Sequence, residues 1–200
     1  MINFFKNIKK SKKGMTLIEV LVSMSIFAVL SVSLVNLFTS AMNTQAAILQ
    51  NQELINQTGY AMEYMHKALR MADRDVPGTC TGVANSNYGA DGTKTLIKFL
   101  AFDYSAGGYR CMEFSLSAGI IKVRKSTDAT DDAFGSYIDL TSSKITVSTL
   151  NFAVDGDTVN IGQPKVTIMV DAVSTSKRVN PIPRLTLQTT ASQRNLNIAQ

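Results

Sequence analysis

The stretch TLIEVLVSMSIFAVLSVSLVNLF, residues 16–38, decides how the rest of the chain is read. It runs twenty-three residues with a single ionisable group, Glu19, and with neither glycine nor proline. At about 1.5 Å of rise per residue, such a run crosses the hydrocarbon core of a bilayer as one helix. Immediately before it stand Lys6, Lys9, Lys10, Lys12 and Lys13, and the first fourteen residues contain no acid. By the positive-inside rule this bias holds the N-terminus in the cytoplasm and places everything after about residue 40 on the other side.

The same five lysines account for the formal charge of +5, because without them fifteen basic residues face fifteen acidic ones. The basic balance therefore belongs to a leader of residues 1–14 and is a targeting feature. No basic stripe or binding motif points to sequence-specific nucleic acid as a partner. With 45% apolar residues in a chain of 200, the composition fits one compact domain plus an appendage.

Glu19 is the informative residue of the apolar run, since an acid in a membrane helix is costly and is normally there for a partner. A cut after Gly14 would free an amino group on Met15, one helical turn from Glu19 and on the same face. A carboxylate in the first turn also suits the positive end of the helix dipole. In an assembly of such helices the carboxylate could pair instead with the amine of a neighbouring subunit, fixing register within an otherwise apolar packing.

Lys13, Gly14, Met15, Thr16, Leu17, Ile18, Glu19, Val20 and Leu21 resemble the cleavage and methylation motif of type IV prepilins and type II secretion pseudopilins. The resemblance implies that a prepilin peptidase cuts between Gly14 and Met15 and methylates the Met15 amine, and that Glu19 is needed for assembly. It departs from the family in having Met15 where phenylalanine is commoner, and Asn36 where many major pilins have a helix-bending proline. An ordinary secretory signal would have a shorter apolar core. Thr39, Ser40 and Ala41 could pass as its cut site, but the run before them is too long and contains Glu19.

Beyond Phe38 the pattern turns amphipathic. Ile48, Ile55, Met62 and Leu69 recur every seven residues, with Leu49, Gln52, Met65 and Ala72 beside them. This predicts one helix from Met15 to about Asp75, weakened at Gly59 and stopped by Pro77 and Gly78, with Arg70 and Arg74 at its C-terminal end. The stripe could serve a coiled coil, but the strand-rich region that follows needs a cover for its inner face. The chain thus divides into a leader, 1–14, a transmembrane and assembly helix, 15–40, its amphipathic second half, 41–76, and a β-rich extracytoplasmic domain, 77–200.

Residues 79–94 read as a loop, rich in glycine, asparagine and aspartate. Strands are predicted at 95–104, 109–116, 120–126, 137–140, 145–154, 165–172 and 184–192, with hairpin links at Gly107 and Gly108 and at 117–119. Val166, Ile168 and Val170 alternate with polar neighbours, and Leu185 and Leu187 repeat the pattern, so these faces belong in the core. Ile145 and Val147 have one phase and Leu150, Phe152 and Val154 the other, which predicts a bulge near Ser148 or Thr149. The fold class is therefore α+β: a long N-terminal helix packed on an antiparallel β-sheet domain. The tail from Leu185 through Leu187, Gln188, Thr189, Thr190, Ala191, Ser192, Gln193, Arg194 and Asn195 is similar to the ends of minor pilins and pseudopilins of the PilW and GspJ kind.

Cys80 and Cys111 are the whole thiol inventory, and in an exported domain they read as a disulfide; two buried thiols are the alternative. No enzyme constellation assembles. His66, the sole histidine, sits in the predicted helix, and no nucleophile motif or zinc spacing accompanies it. Asp128, Asp131 and Asp132 could be a calcium loop but fit no standard spacing, and Asp155, Gly156 and Asp157 read as a turn. No catalytic residue, metal or cofactor is expected.

Two functions from different classes follow. One is a structural subunit of a type IV pilus or type II secretion-like filament, with prepilin peptidase, other pilins, an inner-membrane assembly platform and the bilayer as partners. The other is a membrane-tethered extracytoplasmic enzyme or ligand-binding domain, which would need a polar cleft. The resemblance does not separate a type IV pilus, a competence pilus and a secretion pseudopilus.

Overall fold

The computed structural model describes residues 14–130, 133–156, 163–176 and 181–194. The chain forms two compact units, Met1–Gln45 and Ala46–Gln200. The helix α1 (Leu17–Arg70) contributes to both.

In the first unit α1 begins at Leu17, and its backbone remains helical through Asn36. Among the described residues its apolar side chains find no packing partner within the unit: Leu17 is 79% exposed and Phe27 71%. Several hydroxyls along it are satisfied by the helix's own carbonyls. Ser25 Oγ donates to Leu21 O at 3.0 Å, Ser33 Oγ to Val29 O at 3.1 Å and Thr39 Oγ1 to Val35 O at 2.9 Å. A helix with its polar groups closed on itself and its apolar groups outward is suited to lipid or to other helices. By length and composition it is able to cross a membrane.

The second unit is α+β. After α1 come β1 (Ala72–Asp73), β2 (Tyr88–Ala90), β3 (Leu96–Asp103), β4 (Gly108–Ser117), β5 (Ile120–Lys125), β6 (Ile138–Asp139), β7 (Ile145–Asp155), β8 (Lys165–Ser174) and β9 (Arg184–Ser192). They make two antiparallel sheets. One has the order β1-β3-β4-β5-β6, with β2 also paired to β3, and the other the order β7-β8-β9. The first sheet meets β7 through backbone bonds from Val147 N to Gly119 O at 2.8 Å and from Phe152 N to Lys94 O at 2.8 Å. The expected bulge is present, with the register shifting between Val147 and Thr149.

Leu54, Ala61, Met62, Met65 and Leu69 of α1 join Phe99, Phe114, Ile121, Leu150, Phe152 and Ile168 in one core spanning both sheets. The predicted stripe needs a correction here: Ile48 is 51% exposed and Ile55 47%, and the buried face runs through Leu54, Thr58, Ala61, Met65 and Leu69. A strict seven-residue repeat drifts by about 20° per heptad on a straight helix, so Ile48 and Ile55 have rotated off the face that Met62 and Leu69 hold.

The helix also ends earlier than predicted, at Arg70, well before Pro77. Tertiary donors take its last carbonyls: the Tyr88 hydroxyl donates to Leu69 O at 2.8 Å and Arg194 N to Arg70 O at 2.9 Å. With those acceptors spent on the domain, the chain leaves the helix and pairs as β1 with Leu100 and Ala101. β1 and β2 are the two strands that the sequence reading did not predict.

The outer face of the first sheet is covered as well. Leu100, Cys111, Glu113 and Ser115 are buried there. Cys80 and Cys111 form a disulfide, packed with Leu100 and flanked by Ala129 and Phe134. Their sequence separation of 31 makes the closed loop worth about 3–4 kcal/mol in the chain-entropy treatment. Replacing both cysteines by serine is expected to lower stability by that amount, read as a lower denaturant midpoint with a steeper slope, because the unfolded chain is then freer to expand.

At the β3–β4 turn Asp103 accepts from Ser105 and from Lys125, and its carboxyl is held down to about 2, chiefly by the Ser105 hydroxyl. A depressed carboxyl pKa stabilises the fold above the ordinary aspartate range and loses that contribution as pH falls through about 2.

Candidate functional site

Gly14 and Met15 lie in exposed, non-helical backbone just ahead of α1. A Cβ added at Gly14 would meet nothing within 4 Å. The protein's own structure thus places no demand for glycine at this position.

Thr16 is the cap of α1. Its Oγ1 accepts the Glu19 backbone N–H at 3.3 Å, and its carbonyl accepts Val20 N at 3.2 Å. Thr16 and Glu19 have the spacing of a capping box, and Glu19 occupies the third helical position, where a carboxylate favours the positive helix end. The Glu19 side chain is exposed. Beyond the dipole preference of Glu19, a threonine three residues before a glutamate is the signal in the sequence for this cap.

The other residues singled out from the sequence are dispersed. His66 is half-buried on α1 and lines a cavity of about 440 Å³ with Arg70 and Arg194. Asp128 is exposed and closes an Asx turn, accepting Thr130 N at 2.9 Å and Thr130 Oγ1 at 2.7 Å. Those two bonds hold its carboxyl below the usual range. Asp131, Asp132 and Asp157, like Lys6, Lys9, Lys10, Lys12, Lys13 and Asn195, lie outside the described residues. Among the described residues no three metal-binding side chains come together.

Two polar centres escaped the sequence reading. Asp75 is fully buried, and its carboxylate accepts Gly78 N at 3.0 Å, Cys80 N at 2.8 Å, Thr81 N at 2.8 Å and Thr81 Oγ1 at 3.1 Å. Glu113, also fully buried, takes Arg124 Nε at 2.9 Å and Nη2 at 2.7 Å, and the Tyr137 hydroxyl at 2.9 Å. The Arg124 guanidinium lies 4.2 Å from the Phe134 ring centre and 4.6 Å from that of Tyr137. Burial, together with the Glu113 carboxylate, pushes the Tyr137 phenol up. Both centres are saturated by their own neighbours, which makes them structural.

Residues 9–35 match the family described as the prokaryotic N-terminal methylation motif. Compared with curated proteins and with solved structures, the chain gives no match.

Proposed function

We propose that this chain is the precursor of a filament subunit of the pilin or pseudopilin type. It is cut between Gly14 and Met15 by a prepilin peptidase, methylated on the Met15 amine, and incorporated through its apolar helix. The observation that carries this reading is the methylation motif over residues 9–35, which coincides with a capped helix start and an unpacked apolar helix. The glycine is consistent with it: the fold leaves room for a side chain at position 14, so nothing in the described structure calls for glycine there.

Before assembly the chain is a single-pass protein of the bacterial cytoplasmic membrane, with residues 1–14 inside and residues 77–200 outside. Residues 15–40 then exchange lipid for neighbouring helices, while residues 41–76 anchor the globular domain. The finer assignment is a minor subunit, on the tail similarity to the PilW and GspJ kind and on a mature length of 186 residues, 200 less 14. Its role is structural rather than enzymatic.

Intact-mass spectrometry of the protein extracted from membranes tests this directly. The expected species begins at Met15 and carries one methyl group. Glu19→Ala is expected to be processed normally and to be missing from sheared filaments. Persistence of residues 1–14 on the working protein, or normal incorporation of the Glu19→Ala chain, would overturn the proposal.

A further inference from the structure

Many of the described cations of the second unit stand against carboxylates. Lys67 pairs with Glu63 at 2.7 Å, Lys122 with Asp139 at 3.0 Å, Arg124 with Glu113 at 2.7 Å and Lys165 with Asp155 at 2.9 Å. Lys144 and Arg184 are likewise paired, with Glu53 and Asp171. Arg70 and Arg194 are exceptions: among the described residues neither side chain has an acidic partner. These two line the same cavity, together with His66, Gln163, Thr190 and Ser192, and no acid among the described residues lines it with them.

Two acids are near this face in sequence: Glu63, three residues before His66, is bound to Lys67, and Asp73, three residues after Arg70, accepts the Tyr109 hydroxyl, so the charge that the described residues bring to the cavity is positive. The position is held firmly, because Arg194 N donates to Arg70 O at 2.9 Å and Gln193 Nε2 to Ala72 O at 2.9 Å. The strand end that carries Arg194 is thereby tied to the helix end that carries Arg70.

We infer that this cavity binds a small tetrahedral oxyanion, a phosphate or phosphomonoester. Two guanidiniums offer forked N–H donors that match phosphate oxygens, and the imidazole and the Ser192 hydroxyl add to them, while the Thr190 hydroxyl is shared with Thr167 and the Gln163 amide donates to Gln193 O. The donors come from α1, from β9 and its continuation, and from the segment before β8, so they approach from several directions. That arrangement fits a tetrahedral group better than a planar carboxylate. The site is open to solvent along Arg70 and Arg194, which leaves room for an organic substituent. The site is separate from residues 14–19 and does not rest on the filament reading.

Because His66 is the sole histidine, its imidazole signals report on the cavity without ambiguity. The untagged full-length chain in detergent micelles is titrated with inorganic phosphate, exchanged against chloride at constant ionic strength. A saturable shift of the His66 signals is expected. Arg194→Gln and, separately, Arg70→Gln should each weaken it about tenfold, as loss of one charge-assisted hydrogen bond does. Lys144→Gln, at a cation that pairs with Glu53 and does not line this cavity, should leave it unchanged. No saturable shift, a shift unaffected by both arginine substitutions, or equal loss in Lys144→Gln would each overturn the assignment. The backbone amide spectrum establishes that each variant is folded, and either arginine variant alone suffices if the other is not.

Discussion

Asp75→Ala is expected to cost the second unit about 3–5 kcal/mol, close to the whole stability of a modest domain. The substitution removes an acceptor from three backbone N–H groups and one hydroxyl at once, and Cys80 and Thr81 are buried where water cannot easily replace it. The backbone of Asp75 contributes further by pairing with Ser86 and accepting Asn85 N, so residues 75–86 close on themselves around this residue. Their fit against β2 is tight: a Cβ at Gly89 would lie 2.2 Å from Thr81 O. Asp75→Asn keeps the volume but turns an amide NH₂ toward donors, and should recover little. The measurement is denaturant unfolding with the disulfide intact, with Asp128→Asn as an exposed control. A loss below about 1 kcal/mol, the range of an ordinary exposed hydrogen bond, would show that the loop does not depend on the carboxylate.

Glu113→Ala should cost a comparable amount, about 3–5 kcal/mol, because it strands a guanidinium that the fold holds between two rings. Lys98, Glu113 and Arg124 are cross-strand neighbours on β3, β4 and β5, so the register itself delivers the charges to one another. Removing both partners is a different experiment. Glu113→Leu with Arg124→Met should recover most of the loss, since a buried ion pair gains little over a well-packed apolar one. A double-mutant cycle in which the two single losses simply add would refute the coupling.

How far the sequence exposes this fold depends on whether the cause of each element is local. Strands β3 to β9 follow from alternation and turn residues close to their observed limits, and even the bulge at Ser148 is visible as a change of phase. The start of α1 is equally local, since Thr16 and Glu19 lie within one turn of each other. What stayed hidden was imposed from afar. The helix stops at Arg70 because Tyr88 and Arg194, distant in sequence, claim its carbonyls. Glu113 and Cys111 alternate with apolar residues as a solvated face would, yet loops on either side of the sheet cover them. The buried role of Asp75 is invisible for the same reason, because an aspartate before a proline-glycine pair reads as an ordinary turn.

The disulfide has a mechanical corollary. Cys80 and Cys111 enclose all of β2 and β3 in a covalent ring. When the domain is drawn out by its two ends, tension passes across the sulfurs and bypasses the chain between them. Thirty-one peptide steps at roughly 3.3–3.6 Å each, about 100 Å of contour, are withheld from extension until the bridge is reduced.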